Sequence, residues 1–452
     1  MKFGGTSVGS PDRVRVLGET VRQRLKRQPV VVVSAFSRVT DTLIRGARLA
    51  LAGAPEHDEI VNEIRRRHQD AVAELLPAGP EHERLLALVD QLTGELRTLY
   101  TGVRYLGELT PRSLDAISAM GERLSHEIVA SALADAGVPA RAVDARDVIV
   151  TDESFGRAQP LHDEIEERVA DHVRPLLDAG AVPVLAGFIG ATLKGATTTL
   201  GRGGSDWSAS LVGAALPAEE IQIWTDVDGM LTADPRVVSA ARLIPEVSFE
   251  EAAELAYFGA KVLHPASIRP AVERGIPVVV LNSFDPQARG TRITRNALHA
   301  VGEPRAFAFK KGITVLIVSQ PRMLMAHGFL ARIFEAFDRH RTPVDLIATS
   351  EVSVSLTVDD PARLDAVRAE LALLGEVQQL GGMAIVSVVG RGFTQRPGLA
   401  ARVFDPLRDV NVLMISFGAS DVNVSFVVAE ADAERAVRQL HQAFFEREAA
   451  RA

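Results

Sequence analysis

The sequence has 452 residues, of which 47% are hydrophobic and 24% charged, and its formal net charge at pH 7 is −8. This composition is typical of a globular protein, and the acidic balance argues against nucleic acid or an anionic membrane as a partner. It contains no cysteine, which excludes disulfides and zinc–thiolate sites, and no bilayer-spanning apolar run, so we expect a cytoplasmic protein.

The first 300 residues alternate short apolar runs with longer amphipathic stretches. Runs of β-branched residues predict strands buried on both faces, as in parallel sheets, at 29–36, 182–190, 220–227 and 276–284. Helices are predicted over 12–28, 56–76, 113–137 and 161–179, and a helix followed by a loop over 77–112. This alternation predicts an α/β sandwich with a mainly parallel sheet.

The last 150 residues contain an internal repeat. "LARIF" at 330–334 returns as "AARVF" at 400–404, and "SEVSVSL" at 350–356 returns as "SDVNVSF" at 420–426, with an offset of 70 residues in both cases. Each repeat alternates apolar and polar residues in a way that is typical of a half-exposed antiparallel sheet. We therefore predict two βαββαβ-type modules that bind small ligands or mediate pairing.

The stretch "TTTLGRGGSDWSA" at 197–209 follows a predicted strand and leads into an apolar helix, for which Ser205 and Asp206 are natural N-cap residues. Three glycines let the backbone approach a ligand, and Arg202 can hold a carboxylate or phosphate with two parallel hydrogen bonds. The spacing matches neither a Walker A loop nor a dinucleotide fingerprint. By itself, the stretch fits a tight turn as well as a ligand site.

Other polar clusters lie at strand ends or glycine breaks. The segment 224–236, with three aspartates, reads either as a pair of Asx-turns or as a ligand loop at the carboxyl end of a strand. Lys261, inside an apolar segment, must snorkel, pair or face a ligand, whereas His264 is interpreted as a structural helix-start residue. Glu122 and Arg123 would alone be typical of a solvated helix face.

Together and in this order, the motifs resemble those of aspartokinases over essentially the whole chain: "KFGGTS", "GERLS", "FGR", "TTTLGRGGSD", "WTDVDG", "DPR" and "FGAKVLHP". The repeat resembles the paired ACT domains of these enzymes. The resemblance is closest to the monofunctional, lysine-sensitive type, so no homoserine dehydrogenase half is expected. It implies an amino-acid-kinase (carbamate-kinase-like) αβα sandwich over 1–298. Two ferredoxin-like βαββαβ ACT domains follow over 306–380 and 381–452, and the last strand or helix can return to the first.

The resemblance implies transfer of a phosphoryl group from ATP, with Mg²⁺, to the β-carboxylate of L-aspartate. This reaction begins lysine, threonine and methionine biosynthesis. The β-carboxylate is already ionised at pH 7, so catalysis needs positioning and charge neutralisation rather than a general base. A kinase of another amino acid such as glutamate is an alternative, against which "GERLS" and the tandem repeat argue. A catalytically silent amino-acid sensor is another, against which Lys2, Glu122, Arg202 and Asp206 argue.

The resemblance also implies roles for individual residues. Lys2 reaches the transferring phosphoryl group, Asp206 orients Lys2 and helps organise Mg²⁺, and no metal cluster made by the protein alone is expected. Arg202 holds the substrate α-carboxylate and Glu122 the α-ammonium. The catalytic residues are Lys2, Arg202 and Asp206. The implied substrate pocket consists of Thr40, Glu122, Phe188, Arg202, Gly203, Gly204 and Ser205. The implied nucleotide side consists of Lys2, Gly4, Gly5, Thr6, Ser7, Thr225, Asp226, Leu231, Arg236, Lys261 and Val262.

Feedback inhibition by L-lysine is expected at the first repeat. It has Asp345 at a strand start where the second repeat has Leu413, although Asp345 could instead merely cap a turn. Threonine is the second candidate effector, because His327 and Pro343 replace residues of close relatives. The resemblance also implies a homodimer or dimer of dimers through the ACT domains. The implied inhibitor site consists of Met323, Ala326, Gly328, Phe329, Leu330, Val344, Asp345, Ser350 and Glu351.

Overall fold

The structure is a computed structural model and describes residues 1–259, 263–295, 297, 301–320 and 327–446. The chain forms two compact units. The first contains Met1–Met230, Pro245–Val247 and Val262–Ala297, and the second contains Leu231–Ile244, Ser248–Lys261 and Leu298–Ala452. Two segments within the predicted kinase domain over 1–298, Leu231–Ile244 and Ser248–Lys261, belong to the second unit. No helix in the described part of the chain is long and apolar enough to cross a membrane.

Up to residue 300, the strands are β1 (Lys2–Phe3), β2 (Val31–Val33), β3 (Ala140–Val143), β4 (Val150–Thr151), β5 (Val182–Ala186), β6 (Ile189–Thr192), β7 (Thr197–Thr199), β8 (Ile221–Thr225), β9 (Glu246–Ser248), β10 (Val278–Asn282) and β11 (Thr291–Thr294). The helices are α1 (Pro11–Arg22), α2 (Val39–Leu51), α3 (His57–Leu75), α4 (Pro80–Leu106), α5 (Pro111–Ser118), α6 (Met120–Asp135), α7 (His162–His172), α8 (Arg174–Asp178), α9 (Gly204–Ala215), α10 (Phe249–Phe258) and α11 (Arg269–Arg274). Of these helices, α10 belongs to the second unit.

The main sheet of the first unit has the order β3-β5-β2-β1-β8-β10-β11-β9. Every neighbouring pair from β3 to β10 is parallel, which confirms the predicted mainly parallel sheet. The short strand β1 lies at the centre, where Phe3 is 1% exposed and stacks on Trp224 with ring centroids 5.7 Å apart. The chain therefore leaves β1 among the carboxyl ends of β2, β5 and β8.

Two predicted elements of the first unit are each divided in two in the structure. The run 182–190 forms two strands because Phe188, with φ of 69°, turns the chain between β5 and β6. The stretch 113–137 forms α5 and α6, which meet at Ala119. By contrast, the helix followed by a loop that was predicted over 77–112 is confirmed, because the 27-residue helix α4 ends where the next residue, Gly107, adopts a φ of 66°. These breaks depend on single backbone conformations that hydrophobic periodicity does not report.

The predicted helix over 161–179 is also divided, into α7 and α8. Their shared boundary residue Val173 lies directly before Arg174 and Pro175. The ring of Pro175 cannot donate a backbone hydrogen bond, so it is tolerated only in the first turn of a helix. The proline therefore sets the start of the second helix.

The second unit continues with β12 (Pro304–Ser319), α12 (Phe329–Arg339), β13 (Ile347–Thr349), β14 (Ser353–Val358), α13 (Leu364–Leu371), β15 (Glu376–Gly390), α14 (Leu399–Phe404), β16 (Val412–Phe417), β17 (Asn423–Ala429) and α15 (Glu430–His441). They form an antiparallel sheet in the order β13-β14-β12-β15-β17-β16. The 70-residue offset is reproduced, since β14 and β17 begin at 353 and 423 and α12 and α14 at 329 and 399.

The two modules share their two longest strands. Residues 314–319 of β12 pair with β14, whereas Phe307, in the first half of the same strand, packs in one core with Val386 and Phe426. The strand that crosses between the modules is therefore the first one after residue 300. The last strand, β17, instead pairs with 383–389 of β15, which differs from the suggestion that the last strand returns to the first module.

Candidate active site

A cavity of about 300 Å³ opens at the carboxyl ends of the central strands of the first unit. Open α/β sheets bind ligands at this edge. The cavity brings together eight residues that the sequence predicted for the catalytic and substrate sites, which are Lys2, Thr40, Glu122, Phe188, Gly203, Gly204, Ser205 and Asp206. Ser34, Phe36, Arg38 and Asp41, for which no role was predicted, also line it.

Lys2 and Asp206 form an ion pair at the cavity wall. The Lys2 Nζ lies 2.7 Å from Asp206 Oδ1, and the two side chains are 11% and 10% exposed. Of the glycines at positions 4 and 5, only Gly5 is explained by close approach to the backbone. A Cβ on Gly4 would lie 3.5 Å from Lys2 Nζ, and one on Gly5 would lie 3.1 Å from the Ala35 carbonyl oxygen. The opening residues thus hold a cation at the edge of the cavity.

Glu122 is a buried carboxylate with spare hydrogen-bonding capacity. It is 3% exposed, its Oε1 accepts from the Ala35 amide at 3.2 Å, and its Oε2 has no partner among the described residues. Burial raises the pKa of Glu122 to about 8. Because Glu122 is buried, the solvated-face interpretation is wrong for this residue, whereas its neighbour Arg123 pairs with Glu95 at 2.8 Å. A buried, half-satisfied carboxylate is a natural binding site for a ligand cation.

The residue that caps the helix after the glycine-rich loop is not one of the two that the sequence predicted. The N-cap of α9 is Gly203, with φ of 71°, and Ser205 and Asp206 lie in the first turn. A side chain at Gly203 would also place its Cβ 2.7 Å from the Cβ of His264. Ser34 donates to the Ser205 hydroxyl at 2.9 Å, which fixes the loop to the end of β2. Position 203 therefore requires glycine for two reasons, the backbone conformation and the close contact with His264.

Arg202 lies in the same loop but does not line the cavity. It is exposed, and it makes no hydrogen bond or ion pair with any residue in the described ranges. Phe188 is better fixed, because its amide donates to Ser208 Oγ at 3.0 Å and Ser208 in turn donates to the Gly204 carbonyl. The sequence analysis missed Ser208, whose position one turn into a helix gives no signal of its own.

On the predicted nucleotide side, the hydroxyl of Ser7 is used inside the protein. Ser7 is 2% exposed, and its hydroxyl donates to Ser283 Oγ at 2.7 Å. Ser283 donates in turn to the Thr225 carbonyl at 2.9 Å, so Ser7 anchors its loop to the ends of β8 and β10. Thr6 and Asp226 are exposed.

The other residues that were predicted to bind the nucleotide lie in the second unit or outside the described residues. Leu231 and Arg236 belong to the second unit, where Arg236 pairs with Asp234 at 2.6 Å within its own turn. Lys261 and Val262 lie outside the described residues. Their predicted contacts with the nucleotide therefore stay predictions.

In the second unit, Asp345 is the centre of a charged cluster. Its side chain is 1% exposed, the hydroxyl of Tyr257 donates to its Oδ1, and Lys310 Nζ lies 3.5 Å from the same oxygen. Lys310 also pairs with Asp359 at 2.6 Å and lies 4.5 Å from the centre of the Tyr257 ring. The Oδ2 of Asp345 has no partner in the described part of the chain, and burial raises the pKa of Asp345. Asp345 is therefore more than a turn cap.

The other predicted effector residues lie in varied environments. Gly328 caps α12 with φ of 76°, and Phe329 is buried in the core of the first module. Leu330 is 43% exposed. Val344 is half-buried, and Ser350 and Glu351 are exposed. Met323 and Ala326 lie outside the described residues. Sequence reasoning missed Tyr257, Lys310 and Asp359, because their link to Asp345 exists only in three dimensions.

The fold and the cavity define an amino acid kinase, and residues 1–282 match the amino acid kinase family while 386–444 match an ACT domain. The chain belongs to the aspartokinase family. It is 40% identical over 467 residues to aspartokinase 1, chloroplastic, of Arabidopsis thaliana, covering 99% of this chain and 80% of that protein. It is 38% identical over 458 residues to the lysine-sensitive aspartokinase 3 of Escherichia coli, with 98% of each covered.

Solved structures agree with this assignment. The E. coli aspartokinase III complex with aspartate and ADP (R-state) matches with a TM-score of 0.84 at 38% identity, covering 98% of this chain and 99% of that chain. The complex of the same enzyme with lysine and aspartate (T-state) matches with a TM-score of 0.82 and the same coverage. Both halves of the chain, kinase and ACT, are thus those of an aspartokinase.

Proposed function

We propose that the cavity of the first unit binds L-aspartate and that its β-carboxylate there receives the γ-phosphoryl group of ATP, giving 4-phospho-L-aspartate. The observation that carries this proposal is Glu122, a buried carboxylate with one unpartnered oxygen in a cavity that also contains a lysine. An α-ammonium group supplies the cation that Glu122 lacks. The aspartate-and-ADP complex of the E. coli relative supports the same substrates.

Arg202 would bind the other end of the amino acid. Its guanidinium makes no hydrogen bond or ion pair with other described residues, and its planar fork suits a carboxylate. With Glu122 on the ammonium and Arg202 on the α-carboxylate, the side-chain carboxylate extends toward Lys2. The Lys2 ammonium then stabilises charge on the transferring phosphoryl group, and Asp206, at 2.7 Å, holds that ammonium in place.

Mg²⁺ is proposed to enter with the nucleotide. The described residues contain no group of three His, Asp or Glu side chains suited to a metal ion. Mg²⁺ commonly binds through one or two carboxylates together with substrate phosphates, and Asp206 provides such a carboxylate at the cavity wall. When bound, the ion would neutralise phosphate charge.

We propose L-lysine as a feedback inhibitor that binds at Asp345. With both carboxylates ionised, Asp345, Asp359 and Lys310 sum to one negative charge, and Asp345 Oδ2 is buried without a described partner. An ammonium group satisfies both conditions, and lysine offers its side-chain ammonium in addition to the α-ammonium, which is the only cation of threonine. The lysine complex of the E. coli relative supports this choice. Inhibition requires lysine to favour an inactive arrangement of the enzyme.

We also propose a homodimer formed through the second unit, in a cytoplasmic enzyme. The edge strands β13 and β16 expose apolar side chains, since Ile347 is 42% exposed, Leu413 37%, Ile415 48% and Phe417 42%. Exposed apolar patches on sheet edges are typical of protein–protein interfaces. Sedimentation of the purified protein tests the dimer, and charged substitutions at Ile415 and Phe417 should dissociate it.

A hydroxamate assay on the purified protein tests the activity, with ATP and either aspartate, glutamate or no amino acid. We expect product only with aspartate. Product with glutamate would assign another amino-acid kinase, and lysine binding without any turnover would assign a silent sensor. Titration with lysine, threonine and methionine in the same assay identifies the effector.

A further inference from the structure

The "FGR" motif at 155–157 has no role in the site described above, and Asp115 connects it to that site. Asp115 lies on α5 and is 2% exposed. Its Oδ2 accepts from the amides of Gly156 at 2.8 Å and Thr199 at 3.0 Å, and its Oδ1 accepts from the Thr199 hydroxyl at 2.7 Å. One buried carboxylate therefore joins α5, the "FGR" loop and the end of β7.

Both segments held by Asp115 support the glycine-rich loop. Thr199, which is bound to Asp115, immediately precedes Leu200, and the glycine-rich loop begins after Leu200. The Leu200 amide donates to the Phe188 carbonyl at 2.9 Å. From the other side, a Cβ on Gly201 would lie 3.2 Å from the Gly156 carbonyl oxygen. The start of the loop that carries Arg202 is thus held by Thr199 and Gly156, both of which are hydrogen-bonded to Asp115.

The helix that carries Asp115 also leads directly to Glu122. Helix α5 ends at Ser118 and α6 begins at Met120, with Ala119 serving as the cap of both. Glu122 lies in the first turn of α6. Asp115 therefore links the helix pair bearing the ammonium-binding carboxylate to the loop bearing the carboxylate-binding arginine.

We propose that Asp115 is a positioning residue that fixes the separation between the two ends of the aspartate-binding site. The proposal rests on the roles proposed for Glu122 and Arg202. Hydrogen bonds to an ionised carboxylate are short and strong, and three of them on a buried side chain leave little freedom. Displacements of about 1 Å in such supporting shells cost enzymes roughly 100-fold in activity. The "FGR" motif accordingly contributes to substrate positioning through Gly156, which has a φ of 86° and donates its amide to Asp115.

The substitution Asp115→Asn tests the proposal, because it keeps the shape but leaves only one oxygen to accept bonds. We expect KM for aspartate to rise about tenfold or more, while KM for ATP stays within about twofold of the wild type. A matched control is Asp144→Asn in the same unit, whose carboxylate bonds to Arg146 instead of to the loop. The control should leave both KM values unchanged.

The substitutions Thr199→Val and Thr199→Ser test the same hydrogen bonds with a smaller change than Asp115→Asn. The valine removes one of the three donors and should raise KM for aspartate, whereas the serine keeps the hydroxyl and should restore it. Equal rises of both KM values, or a lower melting temperature with both KM values unchanged, would make Asp115 a purely structural residue and overturn the proposal. Glu122→Gln is measured alongside. If it leaves KM for aspartate unchanged, the proposed substrate site fails independently of Asp115.

Discussion

The affinity of the enzyme for aspartate should rise with pH, because Glu122 must be ionised to bind the substrate ammonium. In the empty cavity, burial raises the pKa of Glu122 from 4.5 to about 8, so the carboxyl group is protonated at neutral pH. Binding the α-ammonium favours the ionised form. Aspartate binding below pH 8 therefore releases a proton, and its apparent affinity falls as the proton concentration rises.

The size of the effect follows from that pKa. The apparent KM scales with one plus the ratio of protonated to ionised Glu122, which is about 100 at pH 6, about 10 at pH 7 and about 1 at pH 8. KM for aspartate should therefore fall about 50-fold between pH 6 and pH 8. It is measured at saturating ATP by an ADP-release assay at constant ionic strength. KM for ATP, measured at saturating aspartate, should change far less.

Glu122→Gln provides the control for this pH dependence. Glutamine can still accept from the Ala35 amide but carries no charge, so KM for aspartate should be high and nearly independent of pH. A flat KM profile in the wild-type enzyme would refute the reasoning. So would a steep profile that persists unchanged in the glutamine variant, because the titrating group would then lie elsewhere.

Four further substitutions test the proposed roles. Lys2→Ala should lower kcat by roughly 10²–10³ with a smaller effect on KM for ATP, and near-normal turnover would remove Lys2 from the site. Arg202→Lys keeps the charge but loses the fork, so KM for aspartate alone should rise; equal rises for both substrates would contradict the assignment. Asp345→Ala should raise the lysine concentration for half-inhibition about 10- to 150-fold, as expected for one charge-assisted hydrogen bond, and an unchanged inhibition curve would exclude Asp345. Tyr257→Phe should lower that concentration, because the tyrosine hydroxyl no longer competes for Asp345. Tyr105→Phe, at a 78% exposed tyrosine, should not change it.

Local patterns in the sequence were sufficient for much of the architecture. Nearly continuous apolar runs rich in β-branched residues predicted the parallel strands β2, β8 and β10, because a strand buried on both faces is apolar at most positions. The 70-residue repeat predicted paired modules, and the glycine-rich stretch predicted the loop before α9. Such features depend on neighbouring residues in the chain, so they are visible without the fold.

Contacts between distant residues decided the rest. Glu122 and Arg123 are adjacent in sequence, yet one is buried beside Ala35 while the other pairs with Glu95. Asp345 meets Tyr257 across 88 positions. The reason is that burial, desolvation and hydrogen-bond partners, which set the charge state and the role of a side chain, depend on which distant segments pack around it. Periodicity indicates only which face of an element is apolar, so the sequence supplied the residues of the site and the tertiary structure assigned their chemistry.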